Sequence, residues 1–138
     1  MAQRKISVVV RRKPVTLHST ATVQQACQEM HRHRIGAIMV TDAEEGLQGI
    51  FTGRDAVRLL AEGKSPVHTQ LDAVMTRNPA HMPPAHSAID ALRLMHDGGF
   101  RHVPVVAQGC VVGIVSAVDF RAVEHDRLDE ESGFWERI

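Results

Sequence analysis

The sequence predicts a mixed α+β fold in which one strand–helix–strand–strand–helix unit occurs twice in tandem. The first indication is an internal repeat: residues 22–31 match residues 87–96 at an offset of 65, and residues 49–55 match residues 113–119 at an offset of 64. The second is that apolar residues in both copies follow first a helical and then a strand-like spacing. A three-stranded sheet covered by two helices buries too little surface alone at this size, so we expect the two sheets to pack together.

Each unit is predicted to open with a short strand followed by an amphipathic helix. Apolar residues recur at i, i+3, i+4 and i+7 in the first copy, at Val23, Ala26, Cys27 and Met30. The matching positions of the second copy are Ala88, Ala91, Leu92 and Met95. Thr22 and Ser87 precede these runs and are suited to cap the helices, and the glycines at 98 and 99 are suited to end the second one.

Two apolar segments joined by a turn follow each helix and predict a β-hairpin. The predicted strands are residues 37–40 and 47–51 in the first copy, and 103–106 and 111–115 in the second. The second turn is shorter, which changes the offset from 65 to 64. A further helix is predicted from Thr52 or Ser116 onward, and in the first copy it stops at Gly63.

These elements divide the chain into four parts. We expect a first unit over residues 6–63, a linker and lead-in segment over 64–78, a second unit over 79–125 and a tail over 126–138. The tail is charged until Phe134 and Trp135, and an exposed Trp would be unusual in a chain with so few aromatics. It is therefore expected to pack on its own module or on a dimer mate.

Composition excludes several classes of protein. Sixteen basic residues balance sixteen acidic ones, so the chain is not a dedicated nucleic-acid binder held by counterion release. Aromatics make up 4%, too few for base-stacking platforms. No apolar run is long enough to span a membrane and no signal peptide is evident, so we expect a cytoplasmic protein. The basic N-terminal residues, 4–5 and 11–13, are expected to be a solvated edge.

Catalysis and metal binding are not predicted. No group of the nine histidines and two cysteines has the spacing of metal ligands, and His31 and His33 would point about 200° apart on a helix. Cys27 repeats as Leu92, which favours a buried thiol over a nucleophile. No Ser-His-Asp or paired-carboxylate arrangement can be identified, so we expect no enzyme activity and no catalytic cofactor.

The doubled pattern Gly-x-x-Thr/Ser-x-x-Asp at 49–55 and 113–119, with segments 74–79 and 100–106, resembles a tandem pair of cystathionine-β-synthase (CBS) domains. The resemblance covers roughly residues 6–125. It implies a stand-alone module with pseudo-twofold symmetry and two clefts that bind adenosine-containing ligands. It further implies a homodimer that regulates an enzyme or a transporter.

The resemblance also implies site residues. Asp55 and Asp119 would accept the ribose hydroxyls, and Thr52 and Ser116 would contact phosphate. The location is suitable, because a helix N-terminus favours an anion. The alternative is a capping box, in which Thr52 or Ser116 caps a helix and the Asp reaches back. The two interpretations are compatible.

The two copies differ where the second hairpin begins. The second copy has Arg101 and His102, whereas the first has Gly36 and Ala37. We expect Arg101 to clamp phosphate with the help of His102, across the pseudo-twofold toward Asp55. Arg54 and Arg121, near the helix starts, are further phosphate candidates. The alternative is that these arginines are solvated helix charges, and that Arg101 is a surface residue beside a partly buried His102. The expected adenine pocket comprises Pro14, Val15, Thr16, Ile35, Ala37, Pro79, Ala80, His81, Val103 and Pro104.

The sequence therefore predicts a non-enzymatic, homodimeric sensor of an adenosine nucleotide such as AMP, ADP, ATP or NADH, with two unequal clefts. Two alternatives remain open. One is a ligand-free dimerisation scaffold, and the other is a weak nucleic-acid or metal binder.

Overall fold

A computed structural model describes residues 14–117 of the chain. The first unit contains β1 (Thr16–His18), α1 (Val23–His33), β2 (Ala37–Thr41), β3 (Leu47–Thr52) and α2 (Gly53–Ala61). A 3₁₀ turn (Leu71–Ala73) and β4 (Thr76–Arg77) follow. The second unit contains α3 (Ala88–Gly98), β5 (His102–Ala107) and β6 (Cys110–Ser116). The mixed α+β fold and both hairpins are confirmed, and each hairpin strand extends one residue beyond its predicted range at one or both ends.

The strands form two sheets. In the first, the order is β1-β2-β3-β4, with β1 parallel to β2 and the other pairs antiparallel. The second sheet is the antiparallel pair β5-β6. Met82 joins it through a single parallel bridge to Val105, at the position that β1 occupies in the first unit.

Equivalent hydrogen bonds confirm the repeat. The Ile35 N–H donates to the Met30 carbonyl at 3.0 Å, and 65 residues later the Phe100 N–H donates to the Met95 carbonyl at 3.2 Å. The β2–β3 and β5–β6 ladders also shift register at equivalent places, between residues 40 and 41 and between 105 and 106. The two units therefore share their irregularities as well as their element order.

The segment between the repeats differs from the prediction. It was expected to be a linker leading into the second unit, but Thr76 and Arg77 pair with Ile50 and Gly49 of β3, so β4 extends the first sheet. Leu71 is fully buried in the core of the first unit. Burial of such apolar side chains holds the segment on the first unit. The first sheet consequently has four strands, not three.

Both predicted helix starts are confirmed. Thr22 and Ser87 cap α1 and α3 in capping boxes with Gln25 and Asp90. The apolar faces match less well, since Leu92 is 44% exposed and its repeat equivalent Cys27 is half-buried. The thiol expected to be buried is thus only partly covered.

The core has three parts. One apolar cluster lies under the helices of each unit, centred on residues such as Phe51 and Val103. A third cluster lies between the sheets and contains Ala37, Met39, Ile50 and Val111. The two sheets pack together through this third cluster, as predicted.

The sheets also meet at their turns. Gly46 forms an antiparallel bridge with Cys110, and the Val111 N–H donates to the Glu45 carbonyl at 3.1 Å. Each β-hairpin therefore has its turn at this shared end and its open end on the opposite side.

We expect the α3 cap to weaken in acid. Hydrogen bonds from the Ser87 backbone and side chain lower the pKa of Asp90 below its ordinary value of 3.8. A lowered pKa in the folded state stabilises the protein above the ordinary value, and this contribution is lost as the pH falls through the folded-state pKa. In thermal melts, Asp90→Asn should melt below the wild type at pH 7, and the difference should shrink as the pH falls past the ordinary value of 3.8 and vanish below the folded-state pKa. A difference that is constant with pH would contradict the assignment.

Candidate functional site

A cleft of about 510 Å³ opens at the end of the strands opposite the turns. It lies where β3 passes into α2 and where β5 begins. Its lining residues come from both units: Gly36, Ile50, Thr52, Gly53, Arg54, Asp55, Thr76, Asn78, Pro79, Ala80, Gly99, Phe100, Arg101 and His102. A ligand in this cleft would touch both units at once.

The wall from the first unit is the start of α2. Thr52 is the N-cap, and Oδ2 of Asp55 accepts hydrogen bonds from the Thr52 N–H at 2.9 Å and from its hydroxyl at 3.1 Å. The Asp55 N–H in turn donates to Thr52 Oγ1 at 3.3 Å. The capping box proposed as an alternative is therefore present at the predicted ribose site.

The carboxylate of Asp55 is also paired with a cation. Its Oδ1 lies 3.2 Å from an Arg58 guanidinium nitrogen, and Asp55 as a whole is 7% exposed. An ionised carboxylate has about four lone-pair positions, and these three contacts leave one of them for a ribose hydroxyl. The ion pair offsets the negative charge beside the cleft.

The wall from the second unit combines cations with an apolar surface. Arg101 is exposed and His102 is half-buried, at the first residues of the second hairpin. Pro79 is buried and Phe100 packs partly into the core of the second unit. Asn78 adopts a left-handed backbone with φ of 46°, which turns the chain from β4 into the lead-in of the second unit.

The structure brings many of the predicted site residues together in this cleft. Its lining includes seven of them: Thr52, Arg54, Asp55, Pro79, Ala80, Arg101 and His102. In particular, Arg101 and His102 share a cleft with Asp55 of the other unit, which is the arrangement expected across the pseudo-twofold.

The other predicted residues lie elsewhere. His81 is exposed and its Nδ1 lies 3.0 Å from the Pro79 carbonyl oxygen, while Val103 and Pro104 are buried in β5. Ser116 ends β6 opposite His102. A further group does not line this cleft either: Pro14, Val15, Thr16, Ile35 and Ala37.

That last group repeats residues near the cleft at an offset of 65. Pro14 and Val15 repeat as Pro79 and Ala80, and Ile35 repeats as Phe100. Asp119, Arg121, the basic N-terminal residues and the aromatic tail lie outside the described residues.

Sequence reasoning missed several lining residues. Gly36, Ile50, Gly53, Thr76, Asn78, Gly99 and Phe100 also line the cleft. The repeat carried a usable signal for Phe100, because its equivalent Ile35 had been assigned to the adenine pocket. Thr76 and Asn78 lie in a segment recognised as part of the resemblance, but its path along β3 was not foreseen.

Within residues 14–117, no group of three or more His, Cys, Asp or Glu side chains is arranged to hold a metal ion. Partial burial raises the pKa of the Cys27 thiol, so it is less nucleophilic than an exposed cysteine. Among the helices in this range, none has both the length and the apolar character required to cross a membrane.

Comparison with known proteins identifies the family. The family model described as "CBS domain" matches residues 6–62 and again residues 71–126. The CBS domain-containing protein CBSCBSPB2 of Arabidopsis thaliana is 42% identical over 104 residues, which are 75% of this chain and 19% of that protein. The chain therefore spans about a fifth of the length of this relative.

Solved structures share the fold. The CBS domain pair of protein MJ0100, in complex with 5′-methylthioadenosine and S-adenosyl-L-methionine, matches with a TM-score of 0.85, 24% identity, and coverage of 91% of this chain and 99% of that one. The CBS domain protein PAE2072 from Pyrobaculum aerophilum, complexed with AMP, matches with a TM-score of 0.81, 24% identity, and coverage of 88% and 96%. At this identity the likeness concerns the fold alone. With two family matches in tandem over most of its length, this chain belongs to the CBS domain family and is a CBS domain pair, a type of regulatory module.

Proposed function

We propose that this CBS pair is a non-enzymatic sensor that binds an adenosine nucleotide in the cleft between Asp55 and Arg101. The observation that carries the proposal is the composition of that cleft. It joins a carboxylate at a helix start, two arginines and a histidine to an apolar wall, and it draws these groups from both units.

Each part of a nucleotide has a suitable counterpart. A ribose hydroxyl suits Asp55, whose carboxylate keeps one acceptor position beside its contacts with Thr52 and Arg58. A phosphate suits Arg101, His102 and Arg54, because charge-assisted hydrogen bonds are the strong ones. The adenine ring suits the apolar side chains of Ile50, Pro79 and Phe100.

Charge favours a phosphate-bearing ligand over a sulfonium compound. Asp55, the acidic residue of the cleft lining, is already paired with Arg58, while Arg54 and Arg101 add positive charge. The fold itself accommodates both kinds of ligand, since MJ0100 holds S-adenosyl-L-methionine and PAE2072 holds AMP. We therefore propose AMP, ADP, ATP or NADH as the ligand class, in a cytoplasmic setting.

The same geometry supports regulation. A ligand that touches both units stabilises the relative arrangement of the units in which both cleft walls contact it. A partner enzyme or transporter would then bind a module whose two units are arranged differently. The available coupling is set by the difference in affinity between the two arrangements, typically about 1–3 kcal/mol.

Titration calorimetry with AMP and adenosine tests the proposal. We expect AMP to bind tightly at one cleft, and Arg101→Ala to weaken AMP about tenfold while affecting adenosine less, because one charge-assisted contact to phosphate is lost. Arg93→Ala, which removes the same charge from the exposed face of α3, is the matched control and should bind AMP like the wild type.

Absence of binding by every adenosine compound would leave the scaffold interpretation. A melting-temperature increase with Zn²⁺ or an oligonucleotide instead would favour the metal or nucleic-acid alternative. Two identical, independent AMP sites would contradict the proposed inequality of the clefts.

We also propose that the module is a homodimer. Val57 and Leu60 on α2 are 68% and 64% exposed and lie three residues apart on one helical face. A second copy covering this face would bury its apolar area, and each Å² buried would stabilise the dimer by about 25 cal/mol. The same helix starts at the cleft, so ligand and dimer would share one element.

Sedimentation velocity tests the dimer. The wild type should sediment as a dimer at micromolar concentration, and Val57→Glu should raise its dissociation constant at least about tenfold, because a charge cannot be desolvated there without cost. Val112→Glu, at an exposed apolar position of β6, is the control. A monomeric wild type would contradict the proposal.

A further inference from the structure

Gly36 lies between the start of α2 and the imidazole of His102. Its carbonyl accepts a hydrogen bond from the Gly53 N–H at 3.0 Å, next to the N-cap Thr52. A Cβ built on Gly36 would stand 3.3 Å from His102 Nε2 and 3.5 Å from its Cε1. The histidine ring of the second unit therefore rests directly above a backbone position of the first.

The backbone of Gly36 does not require glycine. Among residues 14–117, the glycines with positive φ are Gly63, Gly99 and Gly109. The need at position 36 is for space, since a side chain there would press on the ring from a distance tighter than ordinary van der Waals contact.

Only one of the two units has this space at the repeated position. The equivalent of Gly36 in the second unit is Arg101, and the carbonyls of both accept a hydrogen bond at 3.0 Å from equivalent backbone N–H groups, those of Gly53 and Ala117. The same backbone position thus carries a cation in one unit and no side chain in the other. The unit without the side chain receives the ring of His102.

We propose that Gly36 is a positioning residue that seats the His102 imidazole against the first unit and so directs it to the anion-binding part of the cleft. The inference rests on the proposed nucleotide site, which it deepens: it assigns phosphate discrimination to a contact between the units. His102 would donate a hydrogen bond to a nucleotide phosphate only while its ring lies against Gly36.

Two substitutions of graded size test the inference. Gly36→Ala places a methyl group at the contact, and Gly36→Val enlarges it. We expect the ratio of AMP to adenosine affinity to fall about threefold for Ala and about tenfold for Val, the latter being the loss of one charge-assisted hydrogen bond. In a His102→Ala background the same substitutions should change the ratio less than about twofold, because the ring they displace is absent.

An equal loss in both backgrounds would overturn the inference, since Gly36 would then act without His102. An unchanged ratio for Gly36→Val in the otherwise wild-type protein would overturn it as well. Thermal melts of each variant identify any loss of folding.

A ligand-free measurement separates this inference from the nucleotide site. The NMR signals of the His102 ring should shift in Gly36→Ala, whereas those of exposed histidines such as His68 and His96 should stay as in the wild type. If the wild type binds no nucleotide but His102 responds in this way, the proposed function is wrong and the contact between Gly36 and His102 is supported. If AMP binds but His102 does not respond, only the positioning role of Gly36 is wrong.

Discussion

Asp55→Ala is expected to weaken AMP binding about ten- to a hundredfold, because removal of a charged acceptor costs about 1.5–3 kcal/mol. The structure adds a second effect. Since Asp55 closes the capping box with Thr52 and pairs with Arg58, the variant should also lose about 1 kcal/mol of folding stability. Calorimetry measures the first effect and chemical denaturation the second.

Asp90→Ala is the matched control for Asp55→Ala. It breaks the same kind of capping box with Ser87 at the start of α3, away from the cleft. The control should lower the melting temperature but leave AMP affinity as in the wild type. If both variants lowered affinity equally, the effect of Asp55→Ala would reflect a weakened helix, and the ribose assignment would be wrong.

Phe51→Ala should have the largest effect on stability. Phe51 is fully buried in the core of the first unit, in a cluster that also contains Ile38, Leu59 and Leu71. Replacing a buried Phe by Ala removes its apolar contacts and leaves a cavity, at a cost of about 3–5 kcal/mol. Urea denaturation should show a lower midpoint, or loss of the folded state.

Leu60→Ala is the control for Phe51→Ala, because Leu60 is exposed on α2. At low protein concentration, where association does not contribute, it should change the free energy of unfolding by less than about 0.5 kcal/mol. A small effect of Phe51→Ala would mean that the side chain does not occupy the centre of this core.

Local signals in the sequence predicted most of the elements. Helix caps such as Thr22 and Ser87 act within one turn, and hairpin strands follow from the alternation of turn and apolar residues, so both could be read directly. The repeat then supplied the tandem architecture. These features depend on neighbours in the chain, which the sequence displays.

Features that depend on packing between distant segments were harder to predict. Thr76 and Arg77 lie close to the second repeat in sequence, yet they pair with β3 because Leu71 and Met75 are buried in the first core. The cleft shows the same division. Asp55 and Arg101 were identified as candidates, whereas the fit of Gly36 beneath His102 depends on the contact between units.

The bridge between Gly46 and Cys110 has a consequence for the origin of the module. The two residues are equivalent positions of the repeat, 64 residues apart, so each unit meets the other through its own copy of one surface. A contact of this isologous kind is what two identical chains form around a twofold axis. A single ancestral unit could therefore have assembled with itself before its gene was duplicated and fused, and fusion would have required no new surface.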